Sequence, residues 1–203
     1  MAFINENINL VMTGLIVFLV CVMAISGFIL YKKKVNKKSY INEYEALKLY
    51  RIYVQSNKGF NRVESAYLNI IKKYPNTKGA IFARLYLGNA YYEKTQYAKA
   101  IDQYRNLMDR VKKGDELYEL ALLDLAYSYE ALGEYQKAIS LLKEIAENEK
   151  SPNRIEAYIS MARCYEELGD NKNAINNYML VMKRFPNNQW KLELINKISE
   201  LRS

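Results

Sequence analysis

Histidine is absent from the 203-residue sequence. Its absence removes the commonest general base and the commonest metal ligand of proteins. The sequence has only two cysteines, Cys21 and Cys164, which lie more than 140 residues apart. Two cysteines so placed form neither a disulfide framework nor a metal-ligand motif. We therefore predict no metal site and no cofactor, and we expect both cysteines to be small apolar side chains.

Proline and glycine are also scarce, with 3 Pro and 8 Gly in a sequence that is 50% hydrophobic. This balance indicates an ordered, helical chain. The sequence has no Gly-rich phosphate loop, and no Ser or Cys has a His partner for nucleophilic catalysis. Adjacent carboxylates, such as Glu166 and Glu167, would face different ways on a helix. The sequence therefore predicts a protein that is not an enzyme.

The net charge of +8 is unevenly distributed. Residues 1–31 contain no Lys or Arg and one acid, Glu6. The next seven residues, KKKVNKK, contain five lysines: Lys32, Lys33, Lys34, Lys37 and Lys38. Residues 39–203 then hold 25 basic and 21 acidic side chains in a mixed pattern. The basic balance thus indicates a membrane flank, and no nucleic-acid partner is predicted.

Residues 10–31, LVMTGLIVFLVCVMAISGFILY, form an uncharged run of 22 residues. A helix of this length spans about 33 Å, enough for a hydrocarbon core of about 30 Å. We predict a short tail over 1–9, a transmembrane helix over 10–31 and a basic juxtamembrane linker over 32–39. A cleaved signal peptide is disfavoured because the preceding residues carry no Lys or Arg and the apolar run is too long. Residues 10–38 are therefore predicted to contact membrane lipid.

The five lysines on the C-terminal side of this run indicate its orientation, since Lys and Arg near a membrane end tend to stay cytoplasmic. We expect a single-pass protein of a bacterial cytoplasmic membrane, with residues 32–203 in the cytoplasm. An extracytoplasmic location of these residues is the alternative.

The rest of the chain contains three similar segments, which start at Ile81, Glu119 and Ile155. Position 8 of each segment is small, position 11 is Tyr, position 20 is Ala and position 24 is large. From the first segment to the third, position 8 holds Gly88, Ala126 and Ala162, and position 11 holds Tyr91, Tyr129 and Tyr165. Position 20 holds Ala100, Ala138 and Ala174, and position 24 holds Tyr104, Leu142 and Tyr178. The apolar residues between them follow the spacing of amphipathic helices. Each segment is thus predicted to be a hairpin of two helices that meet at their small residues.

This pattern resembles the tetratricopeptide repeat, whose signature has the same residue types at positions 8, 11, 20 and 24 and often Pro at 32. A weaker first unit is placed at Tyr44, with Val63, Tyr67 and Pro75 at positions 20, 24 and 32 but Arg51 at position 8. The resemblance implies an all-α fold: after the transmembrane helix, an α-solenoid of about four hairpins over 44–80, 81–118, 119–154 and 155–186. A capping helix is predicted over 188–201, within a C-terminal cap of residues 187–203, with Asn188 as its N-cap.

In arrays of this family, positions 2, 5, 9, 12 and 13 of the first helix of each hairpin face a concave groove. The resemblance therefore implies a groove that holds a peptide segment or helix of a protein partner. Seven residues at these positions are the predicted partner contacts: Phe82, Asn89, Tyr92, Leu123, Tyr127, Ile159 and Arg163. The same positions also hold several carboxylates: Glu93, Glu130, Glu156, Glu166 and Glu167.

Two functions are consistent with this layout. The first is a membrane-anchored scaffold that holds a protein partner at the bilayer surface, where anchoring raises the local concentration of the partner. The second is an extracytoplasmic chaperone or assembly factor for exported proteins. It is suggested because residues 73–101 resemble segments of bacterial envelope repeat proteins, including the periplasmic subunit that accompanies the Sec translocon. The sequence does not indicate the oligomeric state.

Overall fold

The structure, a computed structural model, describes residues 8–202. This part of the chain is all-helical and contains nine α-helices, in agreement with the predicted fold class. The helices are α1 Ile8–Ser56, α2 Phe60–Lys73, α3 Lys78–Glu93, α4 Tyr97–Met108, α5 Glu116–Ala131, α6 Tyr135–Glu147, α7 Arg154–Glu167, α8 Asn171–Arg184 and α9 Lys191–Glu200. Each helix from α2 onwards packs mainly against the helices that precede and follow it in sequence. The result is a solenoid with its core between consecutive helices.

Helix α1 has 49 residues and is about 74 Å long. Its apolar half is exposed and, among the described residues, is the one stretch that is apolar enough to cross a bilayer. The predicted linker over 32–39 lies inside this helix, because no Gly or Pro interrupts it. The five lysines at 32–38 are all exposed. The same helix thus continues from the apolar run into the first hairpin.

The C-terminal half of α1 is anchored to the turn between α2 and α3. Ser39 is fully buried, and its hydroxyl lies 2.6 Å from the hydroxyl of Thr77. Thr77 is also the N-cap of α3, where its side chain accepts a hydrogen bond from the Ala80 N–H. Gly79 lies against Ser39 so closely that a Cβ there would be 2.9 Å from the Ser39 carbonyl carbon. This contact fixes the direction of α1 relative to the solenoid.

The repeated positions form the core of the hairpins. Ala100, Ala126, Ala138, Ala162 and Ala174 are fully buried at the small positions. The large residues at position 24 pack beside them and are also buried: Tyr104, Leu142 and Tyr178. Small side chains let the two helices of a hairpin approach, and the large residue fills the space that remains.

The register predicted for the first helix of the first hairpin is wrong by one residue. Arg51, placed at the small position 8, is exposed, whereas Tyr53 is buried at 2% exposure. Counting from Glu43 instead puts Tyr53 at position 11 and Asn57 at position 15. The turn between α1 and α2 has one additional residue, which restores the predicted register of Val63 and Tyr67 in α2. Tyr50 then occupies position 8, and its bulk is accommodated by packing on Tyr86 at 5.5 Å between ring centroids.

Position 15 has a left-handed backbone in all four hairpins. The φ angles are 52° at Asn57, 56° at Thr95, 75° at Gly133 and 73° at Gly169. This conformation reverses the chain after the first helix and is the usual way for a helix to end. The repeat is therefore regular in backbone even where its sequence is not.

The C-terminal capping helix begins later in the sequence than predicted. Helix α9 begins at Lys191 and not at Asn188, and Trp190 takes the N-cap position. Asn188 lies in the preceding turn, where its side-chain oxygen accepts a hydrogen bond from the Trp190 N–H at 3.0 Å and its amide donates to the Phe185 carbonyl at 2.7 Å. These local bonds favour a turn over a helix at 188. Leu194 and Ile198 are buried against the last hairpin, as a capping helix requires.

Candidate partner-binding groove

Two adjoining clefts open on the side of the solenoid formed by the first helix of each hairpin. They share Tyr92 and Tyr127, and we refer to the two clefts together as the groove. The larger cleft, of about 510 Å³, lies between α5, α7 and α9. The smaller, of about 220 Å³, lies between α1, α3, α4 and α5. The groove thus extends along most of the solenoid.

The smaller cleft contains a carboxylate, Asp124, on α5. Burial raises its pKa to about 6. Beside it, the Tyr104 hydroxyl donates a hydrogen bond to Asn89 Oδ1 at 2.8 Å. Burial also raises the pKa of Tyr50, which faces the same cleft, to about 12. These hydroxyls stay protonated at neutral pH and present hydrogen-bonding groups around the half-buried Asp124 carboxylate.

Ion pairs between neighbouring helices line the larger cleft. Arg163 on α7 donates from Nε to Glu130 Oε1 on α5 at 3.1 Å and from Nη2 to the Ser160 hydroxyl at 3.0 Å. Lys197 on α9 lies 3.5 Å from Glu166 Oε2, and the Tyr178 hydroxyl donates to the other oxygen of that carboxylate. These contacts connect α9 to α7 and fix the far wall of the groove.

The chemistry available in the groove is that of a binding surface. Its walls offer carboxylates, tyrosine hydroxyls and rings, the Ile159 side chain and two cations. Across residues 8–202, no group of three or more acidic or Cys side chains is arranged to hold a metal ion. Cys164 is buried next to Arg163, which lines the larger cleft. Burial raises the pKa of its thiol to about 12, so the thiol is neutral at physiological pH.

A family model described as "Tetratricopeptide repeat-like domain" matches residues 1–202. The chain belongs to this family. The match includes the apolar part of α1 as well as the tetratricopeptide hairpins. No sequence among the curated proteins gives a significant match.

Solved tetratricopeptide structures show the same fold. A putative kinesin light chain of Podosopora anserina with nearly identical TPR-like repeats superposes with a TM-score of 0.66 at 16% identity, over 78% of this chain and 84% of that one. MamA gives a TM-score of 0.61 at 19% identity, over 79% and 80% of the two chains. YrrB, described as a TPR protein with an unusual peptide-binding site, gives 0.54 at 16% identity, over 84% and 91%. At these sequence identities, the similarity to the three solved structures shows a shared fold alone.

Most of the residues that the tetratricopeptide resemblance suggested as partner contacts line the groove: Asn89, Tyr92, Tyr127, Ile159 and Arg163. The structure brings these five together on one surface. Phe82 and Leu123 lie outside both clefts. Leu123 is 7% exposed and is part of the core, whereas Phe82 is half-buried on α3. Leu123 packs into the hydrophobic core between α5 and its neighbouring helices.

Several groove residues lie outside the positions taken from the tetratricopeptide family. Asp124 is one, and its sequence signal was a single acid within the apolar stretch ALLDLAY. Tyr50 is another, since position 8, which it occupies in the observed register, is a packing position in the family and not a groove position. Trp190 and Lys197 belong to the capping helix, and no repeat position indicates that this helix forms a wall of the groove.

Proposed function

We propose that this protein is a membrane-anchored scaffold that binds a protein partner in its groove and holds the partner at the bilayer surface. The observation that supports this most directly is the continuous α1 helix. Its apolar half is of membrane-spanning length, and its other half forms the first helix of the first tetratricopeptide hairpin. A helix shared in this way leaves no flexible segment between the anchor and the binding domain.

The junction also supports contact with lipid. A cleft of about 420 Å³ lies where the apolar run meets the turn between α2 and α3. Phe28 and Tyr31 line it together with Lys32 and Lys73. Aromatic rings and lysines are the side chains that favour the interface between hydrocarbon and headgroups. The first hairpin is therefore suited to lie directly on the membrane surface.

The groove supports the binding of a protein segment. Its combination of tyrosine rings, an aliphatic side chain and paired charges suits an extended segment or an amphipathic helix. The likeness to YrrB, described as having a peptide-binding site, is consistent with this proposal. Catalysis is not part of the proposed function.

Site-specific photocrosslinking in native membranes tests partner binding. A photoreactive phenylalanine at Tyr127, in the centre of the groove, is expected to give a discrete protein adduct. The same probe at Gln136, exposed on α6 outside the groove, is the control and is expected to give none. Absence of an adduct from Tyr92, Tyr127, Ile159 and Arg163 alike would contradict the proposal.

Two further experiments test the anchor and its orientation. The full-length chain should resist extraction from membranes by alkaline carbonate, whereas release into the supernatant would contradict a spanning helix.

For orientation we propose that the repeats face the cytoplasm, because five lysines follow the apolar run. Alkaline phosphatase fused after Ser203 should then be inactive, since the enzyme works only outside the cytoplasm. Phosphatase activity would place the scaffold on the other side and favour a role with exported proteins.

A further inference from the structure

The charge of the groove is opposite to that of the chain. Its walls carry two cations, Arg163 and Lys197, each of which is already paired with a carboxylate of the groove. Four other carboxylates line the groove: Glu93, Asp124, Glu167 and Glu193. Within residues 8–202, none of these four has a Lys or Arg in ion-pair contact. The groove is thus an acidic surface on a protein with a net charge of +8.

Aromatic rings accompany these carboxylates along the groove. The smaller cleft has Tyr50, Tyr92, Tyr104 and Tyr127 around Asp124, and the larger has Trp190 near Glu193. The faces of Tyr and Trp rings attract ammonium and guanidinium groups, and they do so most strongly when a site is shielded from water. Acids and aromatic rings in one groove therefore select the same ligand chemistry.

Of the four carboxylates without an ion-pair partner in the described part of the chain, Asp124 has the least access to solvent. It is half-buried in the lining of the smaller cleft, which contains no Lys or Arg. Taking a carboxylate out of water without a partner is unfavourable, and a cation from a ligand would offset that cost. The cleft volume of about 220 Å³ is too small for a length of chain but accommodates one long side chain.

We propose that the segment bound in the groove is cationic and inserts one Lys or Arg side chain against Asp124, with further basic residues along Glu167 and Glu193. This inference depends on the proposed function, since it specifies the chemistry of the partner that the scaffold holds. The occupant is a segment of a separate protein, selected by charge complementarity.

The test uses the full-length protein in detergent and a phage-displayed library of random 12-residue peptides. Peptides selected on the wild-type protein are expected to be enriched in Lys and Arg relative to the starting library. A selected peptide is then titrated by fluorescence anisotropy against three proteins: wild type, Asp124→Asn and Asp102→Asn. Asp102 is an exposed acid on α4 outside the groove, so its substitution makes the same charge change and serves as the control.

We expect Asp124→Asn to weaken binding about tenfold or more, because a desolvated charge pair is lost, whereas Asp102→Asn changes it by about twofold or less. Replacing the Lys or Arg of the peptide with Gln should remove the difference between wild type and Asp124→Asn. Salt should weaken binding to the wild type.

The other outcomes contradict the inference in distinguishable ways. Selected peptides without basic enrichment that still lose binding in Tyr127→Ala would overturn the cationic ligand and leave the scaffold function standing. Failure to select any peptide sensitive to Tyr127→Ala would count against both. A dimer in sedimentation experiments that Asp124→Asn dissociates would overturn the separate partner and assign the groove to lysines 32–38 of a second copy.

Discussion

Gly88 on α3 lies directly against the ring of Tyr104 on α4. A Cβ at Gly88 would be 2.5 Å from Tyr104 Cε1, and Tyr104 is itself 2% exposed. The ring is held in place at its far end, where its hydroxyl donates a hydrogen bond to Asn89. The second hairpin therefore closes on a contact between a glycine and a tyrosine, whereas the third uses Ala126 and Leu142 at the equivalent positions.

This contact predicts a compensating pair of substitutions. Gly88→Ala should destabilise the protein by about 1–3 kcal/mol, as overpacking of a core does. The double variant Gly88→Ala with Tyr104→Leu reproduces the residue pair of the third hairpin. Its loss in free energy of unfolding should be smaller than the sum of the losses in the two single variants. Thermal unfolding of the full-length chain and its three variants measures this coupling. Strict additivity would show that the close contact is not a constraint.

Thr95 predicts a stabilising substitution. It is a β-branched residue at φ 56°, where the equivalent residues of the next two hairpins are Gly133 and Gly169. The left-handed conformation costs a residue with a Cβ about 1–2 kcal/mol relative to glycine. Thr95→Gly should therefore raise stability by about 1 kcal/mol, and Gly133→Thr should lower it by a similar amount. A Cβ at Gly133 would meet no atom within 4 Å, so the second effect reports conformation alone. Equal melting temperatures for Thr95→Gly and wild type would contradict this account.

Gly79 predicts a local effect at the junction of the anchor and the solenoid. Gly79→Ala would place a Cβ against the backbone of Ser39 and should separate the second half of α1 from the turn at Thr77. Hydrogen exchange should become faster over 39–56 and remain unchanged over 154–184, since units of a solenoid contact only their neighbours. Ser39→Ala, which removes the hydroxyl contact without a clash, should give a weaker form of the same pattern. Uniformly faster exchange would indicate a single cooperative unit instead.

Asp124 predicts a pH dependence of stability. Burial raises its pKa to about 6, above the value of an unfolded Asp near 4. The unfolded chain loses this proton first, so Asp124 lowers the free energy of unfolding as pH rises from about 4 to about 6. Above pH 6 the penalty is constant, on the order of 1–3 kcal/mol. Asp124→Asn should therefore be more stable than wild type at pH 7 and equal to it near pH 3.5, as chemical denaturation at both pH values would show. A stability difference that does not vary with pH would contradict the shifted pKa.

The sequence by itself determined the architecture, because its evidence is periodic. Four positions recur at fixed spacing in each of the hairpins that start at Ile81, Glu119 and Ile155, and helical periodicity places them on an inner face. The uncharged run over 10–31 is likewise a property of composition, and in the structure it lies within an exposed helix that is long and apolar enough to cross a membrane.

Only the tertiary structure decided the features that depend on contacts between distant residues. The register of the first hairpin differs by one residue from the prediction, and Tyr50 at its position 8 packs on Tyr86, 36 positions away, a contact that no local pattern indicates. The exclusion of Leu123 from the groove and the inclusion of Asp124 follow from how α5 is rotated between its neighbours. Helix α9 became a wall of the groove through Lys197 and Glu166, which are 31 residues apart. Periodicity determines which face of a helix is buried, but packing between helices determines which residues at its edge meet a ligand.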